Sequence, residues 1–130
     1  MERTLRKNKK GFTLVEVIVV IAIIAILAAV TIPTLIGFVN KAEEAEVLSD
    51  ARAVLIAVQA EAMSSREEFD DTVTVESKAT EINNWIGEAL VDDNTTATTS
   101  DYKVTALTYD NGEYTATYDG SEFTVAKNSD

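Results

Sequence analysis

The chain has 130 residues, no cysteine and no histidine, with 22 acidic against 11 basic side chains and a net charge of −11. Those absences exclude a disulfide scaffold, a Cys/His zinc site, a catalytic thiol and any triad that needs imidazole. At this length there is room for one domain and little for a second.

Charge and apolar character are both segregated along the chain. Residues 1–11 carry Arg3, Arg6, Lys7, Lys9 and Lys10 against Glu2, a net of +4, while the other 119 carry six basic and 21 acidic side chains, a net of −15. From Val17 to Val39, 23 residues run without one charge. About 20 apolar residues cross a bilayer core, so this stretch is long enough to span one. A basic start, an apolar span and an acidic body place the N-terminus in the cytoplasm and the bulk outside. The acidic body is repelled by phosphate, so no nucleic-acid partner is expected. A secretory signal peptide begins in the same way, but its apolar region is ~7–15 residues, shorter than this one.

Between the basic start and the apolar run lies Gly11-Phe12-Thr13-Leu14-Val15-Glu16. Glu16 is costly there: a carboxylate at the centre of a span costs about 2.5–3.5 kcal/mol, less near the interface. An ionisable group inside a span marks a functional site whose partner has to be named. The alternative is an interfacial Glu in a helix's first turn, where the macrodipole favours it. Pro33 and Gly37 sit inside the run. Proline removes an i→i−4 bond and crowds the carbonyl four residues back, here Ala29, at a cost of about 3 kcal/mol or more in a helix interior. A mild kink in a membrane helix accommodates it.

Beyond the span the pattern turns amphipathic. Ala42, Ala45, Leu48, Ala51, Leu55, Val58 and Ala62 recur at steps of three and four and form one stripe. Glu43, Glu44, Glu46, Asp50 and Glu61 fall mostly on a solvated face. With Ser64-Ser65 as the stop, the spacing predicts one helix from Phe12 to Ser65, ~80 Å long at 1.5 Å per residue. Thr72–Val75 reads as a short extended piece. Thr80–Leu90 reads as a second helix that buries Trp85, with Ser77 or Thr80 as its N-cap. Residues 92–101 read as a polar loop. Asn94-Thr95-Thr96 there matches a glycosylation sequon. Asp92, Asp93 and Asp101 are calcium-type ligands without EF-hand spacing, so a solvated loop is the simpler reading and no metal or cofactor is assigned.

The last third reads as a meander of strands 102–109, 114–118 and 121–126, joined at Asn111-Gly112 and Asp119-Gly120. Pairing outward from those turns puts Leu107, Ala116 and Phe123 in one row and Tyr109, Tyr114 and Val125 in the next. That face should cover the Leu48/Leu55 stripe, leaving Thr108, Thr115, Thr117, Glu122 and Thr124 outward, with the aromatics as core. The expected fold class is α+β: a long N-terminal helix packed against a three-stranded antiparallel sheet, with one short extra helix.

The basic leader, GFTLVE and an unbroken apolar helix with a proline some two turns before its end together resemble a type IV prepilin, over roughly residues 5–60. The resemblance implies that a prepilin peptidase cuts between Gly11 and Phe12 and methylates the new Phe12 amine. Glu16 then becomes the family's assembly glutamate. It also implies a division into a cleaved leader (1–11), a transmembrane and assembly helix (12–39) and a head (40–130), the head comprising a helix half (40–65), a variable connection (66–101) and the meander (102–126). Cleavage at Gly11 would create the opposite charge that a buried Glu16 needs, the Phe12 amine of a neighbouring subunit. Pro33 and Gly37 would mark where the helix opens on passing from lipid to filament. The implied role is a structural, non-enzymatic subunit for surface adhesion or motility, first a single-pass cytoplasmic-membrane precursor and then part of an extracellular pilus. Its implied partners are further copies in a helical filament, the peptidase, the membrane, and the pilus assembly platform and motor. A pseudopilin of a type II secretion or DNA-uptake machine shares the N-terminal third and stays open as the alternative. Many pilins staple the C-terminal loop with two cysteines, and this chain has none.

Overall fold

Fifty-one consecutive residues, Leu14–Ser64, form one helix (α1) in the computed structural model, which describes residues 10–64 and 75–129. The helix starts two residues after the expected Phe12 and is described to Ser64, one residue short of the expected Ser65. Pro33 lies inside it without ending it. On either side of the proline, the Thr31 hydroxyl donates to the Leu27 carbonyl at 3.0 Å and the Thr34 hydroxyl to the Val30 carbonyl at 3.1 Å. Both polar side chains are thus satisfied inside the helix. Contacts divide the chain into two units, Met1–Val39 and Asn40–Asp130.

In the second unit the buried face of α1 is Val47, Ala51, Val54, Ala57, Val58 and Ala62. This corrects the expected stripe, because Ala42 and Ala45 are exposed and Leu48 and Leu55 only half-buried. Alanines fit either face at little cost, so the larger valines decide which way the helix turns. Glu61, expected in solvent, is 5% exposed. Its carboxylate accepts the Trp85 indole N–H at 3.0 Å and lies 4.0 Å from the Lys78 ammonium, and burying a carboxylate requires such partners.

The sheet has four antiparallel strands in the order β1-β2-β3-β4: Thr96–Ser100, Lys103–Asp110, Tyr114–Tyr118 and Phe123–Lys127. The additional strand, β1, comes from the stretch read as a polar loop. Threonine is β-branched and strand-favouring, and Thr99 turns inward at 3% exposed, so a polar composition concealed a strand. Its link to β2 is Asp101-Tyr102, both at positive φ (51° and 61°), as a two-residue type I′ turn needs. Gln59 ties this turn to α1, donating from Nε2 to the Tyr102 carbonyl at 2.6 Å and accepting the Val104 N–H at 3.0 Å.

The meander keeps the expected faces but not the expected rows. Leu107 pairs with Tyr118 and then Phe123, and Tyr109 with Ala116 and then Val125. Each pairing is two residues out from the expectation, because each turn sits one residue further along. Asn111 and Asp119 are the first residues of their turns rather than central ones. The Asn111 side-chain oxygen accepts the N–H groups of Glu113 and Tyr114, and Asp119 accepts those of Ser121 and Glu122. A shift of two residues preserves the strand's facing, so Leu107, Tyr109, Tyr114 and Ala116 are buried with the α1 valines as expected. Tyr109 also hydrogen-bonds Asp50, and burial together with that carboxylate pushes its phenol up to about 12. Gly120, at φ +95°, lies so close to β2 that a Cβ would stand 2.9 Å from the Thr105 carbonyl oxygen.

The N–H of Glu122, then the hydroxyl and N–H of Ser121, hold the Asp119 carboxyl down to about 2, from an ordinary 3.8. A carboxyl lowered by folding stabilises the folded state above its unfolded pKa and loses that contribution as pH falls through its folded pKa. The β3–β4 turn is therefore expected to loosen between about pH 4 and pH 2. Amide-exchange protection of Glu122 followed by NMR checks this, and protection unchanged across that window would contradict it.

The second helix, α2, is Ala79–Ile86, shorter than the expected Thr80–Leu90. A 3-10 turn, Val75–Lys78, feeds directly into it, so the N-cap position is Lys78 without a side-chain cap, and neither Ser77 nor Thr80 serves. Gly87 ends it in the left-handed conformation at φ 82°. The Asn83 side chain then holds Leu90 and Val91 outside the helix through their N–H groups at 3.0 and 2.8 Å. Ile82 is fully buried, whereas Trp85, expected in the core, is 58% exposed. Most of the Thr72–Val75 expectation lies outside the described residues, and Val75 itself is buried in the 3-10 turn.

Candidate processing and assembly site

Lys10 to Thr13 are not helical, and α1 begins at Leu14 because Thr13 caps it. The Thr13 hydroxyl oxygen accepts the Glu16 N–H at 3.2 Å, and the Glu16 carboxylate reaches back to accept the Thr13 N–H at 3.3 Å. This reciprocal pair is a capping box, which satisfies two of the four free N–H groups of a helix start. Glu16 therefore occupies the first turn, as the macrodipole favours. Thr13 is the site residue that the sequence reading missed. Its signal was present, since a threonine three residues before a glutamate at the start of an apolar run is a capping-box pattern.

The Gly11–Phe12 bond lies just ahead of the cap, outside the helix. Phe12 is 89% exposed, and a Cβ added at Gly11 would meet nothing within 4 Å. The chain's own packing therefore places no demand on glycine at that position. Phe12 and Glu16 line one shallow groove with Val17, Val20 and Ile21. Pro33 and Gly37 lie further along α1, away from this group, with Gly37 likewise open on its Cβ side. Leader residues 1–9 lie outside the described residues.

Among the described residues, α1 is the one helix long and apolar enough to cross a membrane, and none of its most apolar stretch is buried within the protein. Ile18, Val20, Ile24, Leu27, Val30 and Ile36 are all half or more exposed. So continuous an apolar surface marks a lipid-facing or protein-facing element. In the head, the Asp92 carboxylate accepts the Asn94 N–H at 3.0 Å and the Thr95 hydroxyl at 3.3 Å, capping its own turn. Asn94 is exposed and Thr95 buried, at 2%.

A family model described as the prokaryotic N-terminal methylation motif matches residues 6–32. No curated protein and no solved structure matches the chain. The matched stretch holds four of the five basic residues before the junction, the junction itself, the capping box and the apolar run as far as Ile32. The chain thus carries the signal of type IV pilin-like prepilins, followed by a long apolar helix. Such a signal accords with a membrane-anchored, structural precursor that a prepilin peptidase processes.

Proposed function

We propose that this chain is a structural subunit of a type IV pilus, inserted in the membrane as a precursor, cut after Gly11, methylated on the Phe12 amine and polymerised through its apolar helix. The observation that carries the reading is the methylation motif lying on the uncovered apolar half of α1. Before assembly, the span sits in the cytoplasmic membrane with its N-terminus inside, as the basic leader favours. After assembly, helices of neighbouring copies replace lipid around Ile18 to Ile36. The new Phe12 ammonium would face the positive end of α1, an unfavourable position, and a carboxylate nearby offsets it. Glu16 of an adjacent copy supplies that carboxylate and sets the axial register. Pro33 and Gly37 are where α1 opens in the filament, since the Ala29 carbonyl has no proline N–H to accept. Surface adhesion or motility is the role such a filament serves. The peptidase, the assembly platform and its motor are the partners. A pseudopilin would share everything up to the end of the span; recovery of long sheared filaments rather than short periplasm-spanning ones separates the two.

Mass spectrometry of protein from sheared surface filaments is expected to find a mature start at Phe12 bearing one methyl group. An intact Met1 start on surface material would overturn the reading. Because Gly11 has open space around it, replacing it with a bulky residue should leave the fold untouched and block only the cut. The readout is accumulation of full-length, membrane-held chain, with sheet signals unchanged.

A further inference from the structure

We propose that the β2–β3 turn is a self-modifying site, at which the Gly112 backbone nitrogen attacks the Asn111 side-chain amide and releases ammonia. Acyl transfer needs a nucleophile, a base beside it, donors on the carbonyl oxygen and a leaving group free to depart. The turn Asp110-Asn111-Gly112-Glu113-Tyr114 assembles all four. The Gly112 N–H donates to the Asp110 carboxylate at 2.7 Å, so a base sits on the nucleophilic nitrogen. The Asn111 Oδ1 accepts the N–H groups of Glu113 at 3.0 Å and Tyr114 at 2.8 Å, two donors aimed at the oxygen where charge develops. Asn111 and Gly112 are both exposed, so ammonia leaves to solvent and water can enter. Glycine has no side chain to hinder the attack, and a Cβ there would meet nothing within 4 Å.

The step balances without any redox partner. The Gly112 N–Cγ bond of Asn111 forms, Asp110 takes the Gly112 amide proton and passes it to Nδ2, and the Cγ–Nδ2 bond breaks as Nδ2 leaves as ammonia. The five-membered imide that results is opened by one water molecule, at either carbonyl, to an aspartate or an isoaspartate. Asp110 is well suited to remain ionised: the Gly112 N–H, then the Asn128 amide and the Thr115 hydroxyl, hold its carboxyl below the ordinary carboxylate range. The β3–β4 turn provides an internal control. It has the same shape, with Asp119 in the place of Asn111 and Gly120 in that of Gly112. But the group that would leave there is an oxygen of an ionised carboxylate, and Tyr118 stands in the place of Asp110, so no carboxylate of that position can serve as base. Opening to isoaspartate at Asn111 would lengthen the backbone at the point where Asn128 bonds the Glu113 carbonyl at 2.8 Å and Asp110 at 2.9 Å. The modification would therefore add a negative charge and loosen the C-terminal strand together.

The test incubates the folded full-length protein in mild detergent at neutral pH beside a free peptide of residues 108–116, with peptide mapping over time. General-base assistance of 10²–10⁴-fold is typical, so even a weakly placed carboxylate should make the folded chain convert Asn111 at least about tenfold faster than the peptide. Asp110→Ser should remove that advantage while Asn111 and Gly112 stay in place. Because that change also removes bonds to Asn128 and Thr115, the wild-type protein is followed in parallel as pH falls. Its rate should drop only when Asp110 is protonated, below the usual carboxylate range. Folded protein that converts no faster than the peptide overturns the proposal, as does an Asp110→Ser protein that converts as fast as wild type.

Discussion

Replacing Glu16 with valine is expected to yield cleaved, membrane-inserted protein with a folded head and few or no filaments. Two effects of different size meet at this residue. As half of a capping box, Glu16 contributes about 0.5–2 kcal/mol to the start of α1, and its charge on the macrodipole about 0.3–1 kcal/mol. As the proposed partner of a buried ammonium in the filament, its loss would cost about 3–5 kcal/mol, repeated at every subunit. Only the second is large enough to abolish polymerisation. Substitution can separate them. Glu16→Gln keeps the capping geometry, since glutamine serves at that position, but loses the charge, so it should assemble poorly, though better than valine. Thr13→Ala removes the hydroxyl that accepts the Glu16 N–H at 3.2 Å while leaving the carboxylate, and filaments should survive. Filament yield from sheared cells, with cleavage checked by mass, is the measurement. Wild-type yield from Glu16→Val would reduce Glu16 to a helix cap and end the pairing hypothesis.

The N-terminal half was legible because its signals are one-dimensional. A charge-free run, a basic start and a glutamate at its edge need no tertiary partner to be read, and α1 ends within one residue of the expected serine. The head was harder wherever two readings cost nearly the same locally. Alanine-rich positions left the rotation of α1 undecided, and Val47, Val54 and Val58 settled it only because a sheet is there to cover them. Threonine-rich 96–100 carries strand propensity without apolar alternation, and the turn beyond it lacks glycine, so neither usual hairpin signal was present. At Asn111 and Asp119 the dipeptide signal located each turn but not its frame. The side-chain oxygen bonding two residues ahead fixes the asparagine or aspartate at the first turn position. At the site itself, attention to the charge of Glu16 hid its hydrogen-bond partner. Thr13 was overlooked although the pattern is local.

The same contrast gives the largest effect expected in the head, and it falls on Ile82 rather than on Trp85. A tryptophan at helical spacing draws the eye as a core anchor, but α2 turns Ala79, Ile82 and Ile86 toward the core and leaves the indole 58% exposed on its flank. Ile82 is fully buried among Val75, Val91 and the α1 valines. Truncating a buried isoleucine loses its transfer energy and leaves a cavity, together about 2–5 kcal/mol. For a domain of this size about 1 kcal/mol moves the melting temperature by about 4–8 °C, so Ile82→Ala should lower it by about 8 °C or more. Trp85→Phe keeps most of the packing and removes one donor, the N–H at 3.0 Å from Glu61. Glu61 retains Lys78 at 4.0 Å, and the exposed indole gave up little water to make its bond, so the loss should be about 1 kcal/mol. Thermal unfolding of both variants in the same detergent, followed by the far-ultraviolet sheet signal, decides the matter. If Trp85→Phe proved the more damaging, Glu61 and its indole partner, not the Ile82 face, would be what holds α2 to the head.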